Sequence, residues 1–232
     1  MRQTLHGVNI GHIYDYVSEE EIKRLQAGKW ENEDVVLVNK YLTNDDSVLE
    51  LGACTGILSC VINSIIGGSH LVVEPNPELI KCIEETRRRN SCDFEIKNTI
   101  VSDNEYEEFE AWDFVLGSGC PSINGRVNGK VNDGKDKIYG KSRRYSIKSS
   151  RLQDLKKERN TLFCDIEGAE YVLIENEFET IKTFDKLFFE FHYRFNTKNS
   201  NSKIHKSTID KLKKHFNLVE KSKVVYYFEA KK

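Results

Sequence analysis

The stretch of sequence that decides the fold is VLELGACTG, residues 48–56. An apolar run that contains one acid, Glu50, leads into a turn that has Gly52 at its start and Gly56 at its end. This pattern predicts a buried strand followed by a tight turn into a helix, where missing Cβ atoms let the backbone and a ligand approach closely. Because ligands of open α/β sheets bind at the carboxyl ends of strands, the turn predicts a ligand site.

Strand and helix patterns alternate along the rest of the chain, which predicts an α/β fold with a doubly wound, mostly parallel sheet. An added antiparallel strand is expected at 109–117, and a C-terminal antiparallel hairpin at 218–230. Ser18 is expected to cap the first helix. The predicted helices are 18–30, 34–42, 57–66, 77–90 and 207–216. Further strands are predicted at 47–52, 70–76 and 186–192 and at the starts of 143–155 and 161–177, and 92–103 is predicted to be a strand and its exit loop.

Composition places the chain among globular proteins, with 31% charged and 38% hydrophobic residues among 232. We expect a single domain over 1–232, with an N-terminal helical segment (1–46) and a glycine-rich, lid-like insertion (117–144). Neither a membrane-spanning run nor a signal peptide is recognisable, so a cytoplasmic location is expected. The six cysteines lack the paired spacing of a zinc site.

The acid that follows the second strand indicates which ligand binds. Glu74 lies 22 positions after Gly52, where a carboxylate can accept both hydroxyls of a ribose. The dinucleotide fingerprint G-x-G-x-x-G is absent, and Glu50 would repel a pyrophosphate but suit an ammonium group. Ribose and ammonium without phosphate describe S-adenosylmethionine. The alternative is that the glycines only tighten a strand–helix turn.

Several segments, in order, resemble the FkbM-like methyltransferases. They run from about Trp30 to His192, and E-P-N-P (74–77) and D-x-E-G-x-E (165–170) are the most specific. The chain departs from the family at Glu50, where Asp is usual, and at Cys54, where Asn is usual. The resemblance implies a Rossmann-like fold of the S-adenosylmethionine-dependent methyltransferase type. The Lys/Asn-rich composition also resembles glycan methyltransferases of large algal viruses, which would imply the host cytoplasm.

The resemblance also implies which residues bind the cofactor. Glu74 would hold the ribose, and Glu31 resembles a family position near the methionine end. Ser102 and Asp103 would lie beside the adenine, although both residue types also favour plain turns. The residues implied to cradle the methionine part are Glu50, Gly52, Ala53 and Gly56.

Four polar residues at the ends of the next two strands are the candidates for catalysis. Asp165 and Glu167 follow the strand that begins at Thr161, and Glu190 and His192 end the strand KLFFEFH on one face. His192 has a suitable unperturbed pKa for a general base. Alternatively, Asp165, Glu190 and His192 could bind a divalent metal, but His suits magnesium poorly, and we favour a metal-free base. Glu167 or Glu170 could instead cap the following helix.

The family resemblance implies an O-methyltransferase whose acceptor is a hydroxyl of a sugar or glycan. Tyr139, Tyr145, Tyr193 and Phe195 could supply flat faces for a sugar ring or simply belong to the core. Between 126 and 151, nine Lys/Arg stand against two Asp, an excess of seven that could attract a nucleotide-linked acceptor.

Two other functions remain open. The first is an RNA methyltransferase, which the basic stretch suggests and the pI of about 6.3 disfavours, so nucleic acid is not the expected partner. The second is a non-catalytic module that binds S-adenosylmethionine, which only the departure at Cys54 supports. The oligomeric state is not predicted.

Overall fold

The computed structural model describes residues 1–17, 19–112, 124–127, 142–192 and 200–232. The expected Ser18 cap and most of the insertion 117–144 lie outside these residues. The helices are α1 (Glu19–Gln26), α2 (Asn32–Tyr41), α3 (Ile57–Ile65), α4 (Ile80–Arg89), α5 (Leu152–Lys156), α6 (Glu170–Asn176), α7 (Phe178–Ile181) and α8 (Ser200–Leu212). The strands are β1 (Thr4–Leu5), β2 (Val8–Asn9), β3 (Val48–Leu51), β4 (His70–Val73), β5 (Glu95–Lys97), β6 (Ile100–Val101), β7 (Tyr106–Trp112), β8 (Asn124–Val127), β9 (Ser142–Ser150), β10 (Thr161–Cys164), β11 (Lys186–Glu190), β12 (Phe216–Ser222) and β13 (Val225–Ala230).

Seven strands form the main sheet in the order β12-β13-β11-β10-β3-β4-β5. The five strands from β11 to β5 are parallel, and β13 pairs antiparallel with both β11 and β12. The predicted doubly wound, mostly parallel sheet with a C-terminal antiparallel hairpin is therefore confirmed. Its central strands are short apolar runs because both of their faces are covered.

The two faces of the sheet support two hydrophobic clusters. Alternate residues of β3 point to opposite sides, so Val48 packs with residues of α2 and α3, whereas Leu49 and Leu51 pack with α6 and with aromatic residues of β11. Phe188 and Phe189 divide between the two clusters, and each is fully buried. Burying one such side chain stabilises the fold by about 2 kcal/mol.

The order of the strands fixes where a ligand crevice can open. After β3 the chain adds β4 and then β5 on one side, and it later adds β10 and β11 on the other. The direction of winding thus reverses between β3 and β10, which is the position where open α/β sheets bind ligands. The carboxyl ends meet closely there, because the Asp165 N–H donates to the Leu51 carbonyl at 2.9 Å.

A second sheet of four strands, in the order β6-β9-β7-β8, differs from the sequence prediction. The stretch 92–103, expected to be a strand and its exit loop, contains two strands, and the second of them, β6, pairs with β9. The strand predicted at 109–117 begins earlier, as β7, and lies in this sheet. Its own small cluster of Ile100, Phe109, Ala111 and Ile147 explains why it forms a separate layer.

The N-terminal segment contains the two predicted helices and a short hairpin of β1 and β2 that the sequence pattern does not predict. The backbone N–H of Asn9 donates to the side chain of Asn90 at 2.7 Å, which ties this hairpin to the end of α4. Trp30 is buried in the cluster beneath it. Within the described residues, the helices are too short or too polar to cross a membrane.

Candidate functional site

The turn after β3 needs its glycines mainly for contacts within the chain. Gly52 has a φ of +87°, and a Cβ at this position would lie 1.7 Å from the backbone oxygen of Asp165. Gly56 has a φ of +79°, precedes α3, and would place a Cβ 3.3 Å from Cγ2 of Ile83. From the sequence, the missing Cβ atoms predict close approach by a ligand. At Gly52 a neighbouring strand fills that space instead, so the glycine lets β3 and β10 end side by side.

Glu74 follows β4, and its side chain binds the backbone of the turn after β3. Its carboxylate accepts the backbone N–H of Cys54 at 3.0 Å and that of Asn76 at 2.8 Å. Burial raises the pKa of Glu74 to about 7, against the lowering effect of these amides and that of Ala53. A carboxylate has about four acceptor positions, so Glu74 can accept further donors from a ligand at the turn. Its role in ribose binding stays a prediction.

Glu50 lies beneath the turn and has no exposed surface. One carboxylate oxygen accepts the Ser59 hydroxyl at 2.8 Å, and the other lies 2.9 Å from Nε2 of His70. Both partners are buried, so the acid is satisfied inside the protein as buried charges must be. Direct contact between Glu50 and a ligand remains untested, and this geometry favours a supporting role.

Glu31 approaches the same turn from the N-terminal end of α2, with a left-handed backbone (φ 50°). Its Oε2 is buried and has no hydrogen-bond partner among the described residues. Burial raises the pKa of Glu31 to about 8, although hydrogen bonds from the Trp30 side chain and the Leu58 backbone lower it. The charges of Glu31, Glu74 and Asp165 all raise the pKa of Cys54 after burial itself. These carboxylates therefore lie near Cys54 in the turn, next to the buried Ala53.

Ser102 and Asp103 lie in the turn between β6 and β7, where their polar atoms already have partners. The Ser102 hydroxyl donates to Glu107, and Asp103 pairs with Arg151 at 3.3 Å on the surface. This arrangement matches the plain turn that these residue types favour. Their role beside an adenine is untested.

The four candidate catalytic residues come together at the ends of β10 and β11. Nε2 of His192 lies 3.7 Å from Oδ1 of Asp165, 3.7 Å from Oε2 of Glu167 and 3.5 Å from Oε1 of Glu190. The expected proximity of these residues thus appears in the structure. What they do there is untested.

The ionisation of His192 differs from what the sequence predicts. Burial lowers its pKa, but the hydrogen bond to Glu170 and the charges of Glu170, Glu167 and Glu190 outweigh burial and raise the pKa to about 9. The imidazole is therefore charged at neutral pH and holds a set of carboxylates together. A charged imidazole cannot accept a proton, so this geometry does not favour a general base at His192.

Two acids at this place are absent from the site residues predicted from the sequence. Glu170 is fully buried, and its Oε1 accepts the N–H groups of Ile166 and Gly168 and lies 3.0 Å from Nδ1 of His192. These amides belong to the turn before α6, so Glu170 binds that turn, and no side chain of the described residues caps the start of the helix. Asp34 on α2 is also buried, and its Oδ1 has no hydrogen-bond partner among the described residues. The sequence feature that could have identified Asp34 as buried is its place at the start of the apolar run DVVLV.

The aromatic residues expected to face a sugar are only partly described. Tyr145 donates its hydroxyl to Glu78, which also pairs with Arg143 at 3.0 Å, so this tyrosine fastens β9 to the loop after β4. Tyr139, Tyr193 and Phe195 lie outside the described residues, as does most of the basic stretch.

Comparison with known proteins finds a shared fold. No family model matches the chain, and no curated protein does. A dimethyladenosine transferase from Plasmodium falciparum has a similar structure, with a TM-score of 0.51, 11% identity, and coverage of 86% of this chain and 61% of that one. The ribosomal protein L11 methylase of Lactobacillus delbrueckii subsp. bulgaricus gives a TM-score of 0.48 at 12% identity, covering 88% and 79%. The tRNA m1G37 methyltransferase of M. jannaschii gives 0.45 at 10%, covering 87% of this chain and 50% of that one, so the chain spans about half its length.

The comparison corrects the expected acceptor. The dimethyladenosine transferase is named for a modified adenosine and not for a sugar or glycan. The expectation of a sugar partner, with nucleic acid disfavoured, is therefore corrected. Assignment to the FkbM-like family and O-methylation of a glycan hydroxyl have no support in the comparisons.

Proposed function

We propose that this chain is an S-adenosylmethionine-dependent methyltransferase. The observation that carries the proposal is the position of two acids, Glu74 and Glu31, close to the glycine turn at the switch point of the sheet. The fold shared with the dimethyladenosine transferase supports it. The cofactor would supply a methyl group on a positively charged sulfur, ready for transfer to a nucleophile.

The residues at the turn fit the parts of that cofactor. Glu74 has acceptor capacity left after binding the Cys54 and Asn76 amides, which suits the two ribose hydroxyls. The buried, unpartnered Oε2 of Glu31 suits the ammonium group of the methionine part, because an unpaired buried oxygen costs about 1–3 kcal/mol. The turn from Gly52 to Gly56 would lie against the same part, with Glu50 supporting it from below.

We propose RNA as the class of acceptor. The names of the neighbouring enzymes favour it over a small molecule. Within this chain, β9 and the residue after it present cations: the side chains of Arg144 and Arg151 are 68% and 59% exposed. Lys148 is exposed on the same strand. Lys/Arg side chains of this kind bind nucleic acids mainly through phosphates.

The carboxylates at the ends of β10 and β11 would face the acceptor. Since His192 carries a proton at neutral pH, removal of an acceptor proton falls to a carboxylate in this proposal. Glu167 suits that role best, because its side chain is the most exposed of the group at 42%. Asp165, Glu190 and His192 would position it and shape the pocket.

Binding of the by-product S-adenosylhomocysteine, measured by calorimetry, tests the cofactor assignment. We expect Glu74→Gln to weaken binding at least tenfold, because the amide replaces one acceptor oxygen by a donor. The matched control is Glu84→Gln, an exposed acid on α4, which should bind as the unmodified chain does. Equal affinity of all three proteins would remove Glu74 from the cofactor site, and no binding at all would overturn the proposed function.

A methyl-transfer assay tests the proposed class of acceptor. The chain is incubated with radiolabelled S-adenosylmethionine and with separate RNA, ribosomal protein and polysaccharide fractions. We expect label in the RNA fraction, and little with Glu74→Gln. Label in protein or polysaccharide alone would refute RNA as the acceptor but leave the cofactor assignment intact.

A further inference from the structure

The ends of β10 and β11 bring together three side chains with the chemistry of metal ligands. One carboxylate oxygen each from Asp165 and Glu190 and one ring nitrogen of His192 lie within 4.8 Å of one another. The distances from Nε2 of His192 to these two acids are 3.7 and 3.5 Å. Adjacent ligands of an ion at roughly 2.1 Å lie about 3 Å apart, so small side-chain adjustments would bring all three onto one ion.

The orientation of His192 is that of a metal ligand. Its Nδ1 lies 3.0 Å from Oε1 of the fully buried Glu170, which leaves Nε2 directed at Asp165 and Glu190. Metal-ligating histidines almost always give their other ring nitrogen to a carboxylate or carbonyl in this way. Glu170 is itself fixed by the N–H groups of Ile166 and Gly168, so the ring position is set in advance.

Buried oxygen atoms without donors point independently to a missing cation. Asp34 is only 4% exposed, and its Oδ1 has no hydrogen-bond partner in the described part of the chain. Oδ1 of Asp165 and Oε2 of Glu170 also lack a hydrogen-bond partner among the described residues, although the Asp165 side chain as a whole is 31% exposed. Asp34 lies close enough to Asp165 that its charge helps to raise the pKa of Asp165, after burial and the charges of Glu190 and Glu167. Each such oxygen costs about 1–3 kcal/mol unless something positive faces it.

The charge balance of the cluster leads to the same conclusion. The ion pairs that the described residues form with Asp165, Glu167, Glu170 and Glu190 all go to His192. One histidine side chain therefore faces four acidic side chains, with Asp34 nearby as a fifth acid. A divalent ion at this place would add the positive charge that the described residues do not supply.

We propose that Asp165, Glu190 and His192 bind a divalent cation of the Mn²⁺ type at the carboxyl ends of β10 and β11. Two carboxylates with one imidazole suit Mn²⁺, whereas Mg²⁺ prefers oxygen ligands alone and soft metals prefer thiolates. This proposal reverses the preference for a metal-free site drawn from the sequence. It leaves Glu167 outside the ligand set, and it does not depend on the methyl donor.

The test measures metal binding directly. The whole chain, stripped with a chelator, is titrated with MnCl₂ while the electron paramagnetic resonance signal of free Mn²⁺ is followed. We expect one site, and at least tenfold weaker binding by Asp165→Asn and by Glu190→Gln. Glu179→Gln, an exposed acid on α7, serves as the matched control and should bind like the unmodified chain.

Thermal unfolding separates lost ligands from lost folding. Without metal, Asp165→Asn should unfold at the same or a higher temperature than the unmodified chain, because it removes one acid from a group of closely spaced acids. With saturating Mn²⁺, only the unmodified chain and Glu179→Gln should gain stability. The absence of any site tighter than millimolar, tighter binding of Mg²⁺, or unchanged binding by both ligand variants would overturn the proposal. Binding of S-adenosylhomocysteine is measured on the same samples, so failure of one proposal is distinguishable from failure of the other.

Discussion

Among individual residues, Glu74 is the one whose chemistry follows most directly from its surroundings. Burial alone would keep its carboxyl neutral, and the amides of Cys54, Asn76 and Ala53 bring its pKa back to about 7. A carboxyl balanced in this way changes charge within the physiological range. Only its ionised form offers every oxygen to donors from a ligand.

The affinity for S-adenosylhomocysteine should therefore depend on pH through Glu74. Between pH 6 and pH 8 the ionised fraction rises about tenfold for a pKa near 7, so binding should tighten by about that factor. The measurement is calorimetry across this range, with Glu74→Gln as the reference that should show little change. An affinity of the unmodified chain that is flat with pH would contradict ribose binding by an ionised Glu74.

The raised pKa of Glu74 also makes the stability of the fold depend on pH. The folded pKa of about 7 lies above the ordinary value of 4.5, so folding favours the protonated acid. The corresponding stability is fully present below about pH 4.5 and is lost as the pH rises through 7. The free energy of unfolding, measured in urea for Glu74→Gln and for the unmodified chain, should therefore diverge as the pH rises over this window.

Residue types could be predicted from the sequence, but their charge states could not. The spacing that brings Asp165, Glu190 and His192 to neighbouring strand ends is a property of parallel sheets. The charged state of His192 depends on Glu170, whose carboxylate faces the imidazole only because it turns back onto Ile166 and Gly168. No one-dimensional pattern shows that contact, so the sequence predicts where His192 lies but not the environment that disfavours it as a general base.

At the level of elements, the junction of β3 and β10 is the most constrained place in the sheet. Gly52 leaves room for the backbone oxygen of Asp165, and both chain segments are held by hydrogen bonds to their neighbours. A backbone contact cannot relax by changing a rotamer. The glycine is therefore required by the pairing of strands before any ligand is considered.

Gly52→Ala should destabilise the fold far more than a comparable glycine elsewhere. Gly7 provides the matched control, because it also has a positive φ (+84°), but a methyl group added there would meet nothing within 4 Å. We expect Gly7→Ala to cost about 1–2 kcal/mol from backbone strain alone, and Gly52→Ala to cost more than about 3 kcal/mol or to prevent folding. Urea unfolding measures both, and equal losses would show that the contact with Asp165 is unimportant.

Elements of the parallel sheet were predictable because buried strands and amphipathic helices carry strong local patterns. The small sheet was not, because β6 has two residues and gains its partner, β9, from a stretch nearly fifty residues later. Phe109 and Ile147 form its core only once that pairing exists. Non-local pairing of short strands is invisible to periodicity, which explains why the sequence does not predict the small sheet.

For the whole molecule, the attraction to RNA depends more on where the charges lie than on the net charge. The net charge is −2, so no long-range attraction to RNA is expected. The positive charge is concentrated on β9, where Arg144 and Arg151 pair with Glu110 and Asp103 while remaining largely exposed. Binding to a polyanion should therefore be local, modest and sensitive to salt.

Replacing Arg144, Lys148 and Arg151 by serine should lower both RNA affinity and its salt dependence. Each phosphate contact to a single strand contributes a slope of about −0.7 in log affinity against log salt, so three losses should flatten the slope by about 2 units. Fluorescence anisotropy of a labelled RNA at several salt concentrations measures this. The control triple is Lys206, Lys213 and Lys214, which are exposed on α8 and just after it. A similar loss in the control would indicate non-specific attraction only.

The position of β13 has a consequence for how the chain reaches this fold in a crowded cell. β13 is inserted between β11 and β12, although it follows both in the sequence. Until β13 is in place, the phenylalanine-rich β11 is an edge strand with unpaired backbone amides. A strand of a neighbouring chain can pair with this edge. A chaperone that shields this side, or slow synthesis of the preceding helix, would decide how much newly made protein escapes aggregation.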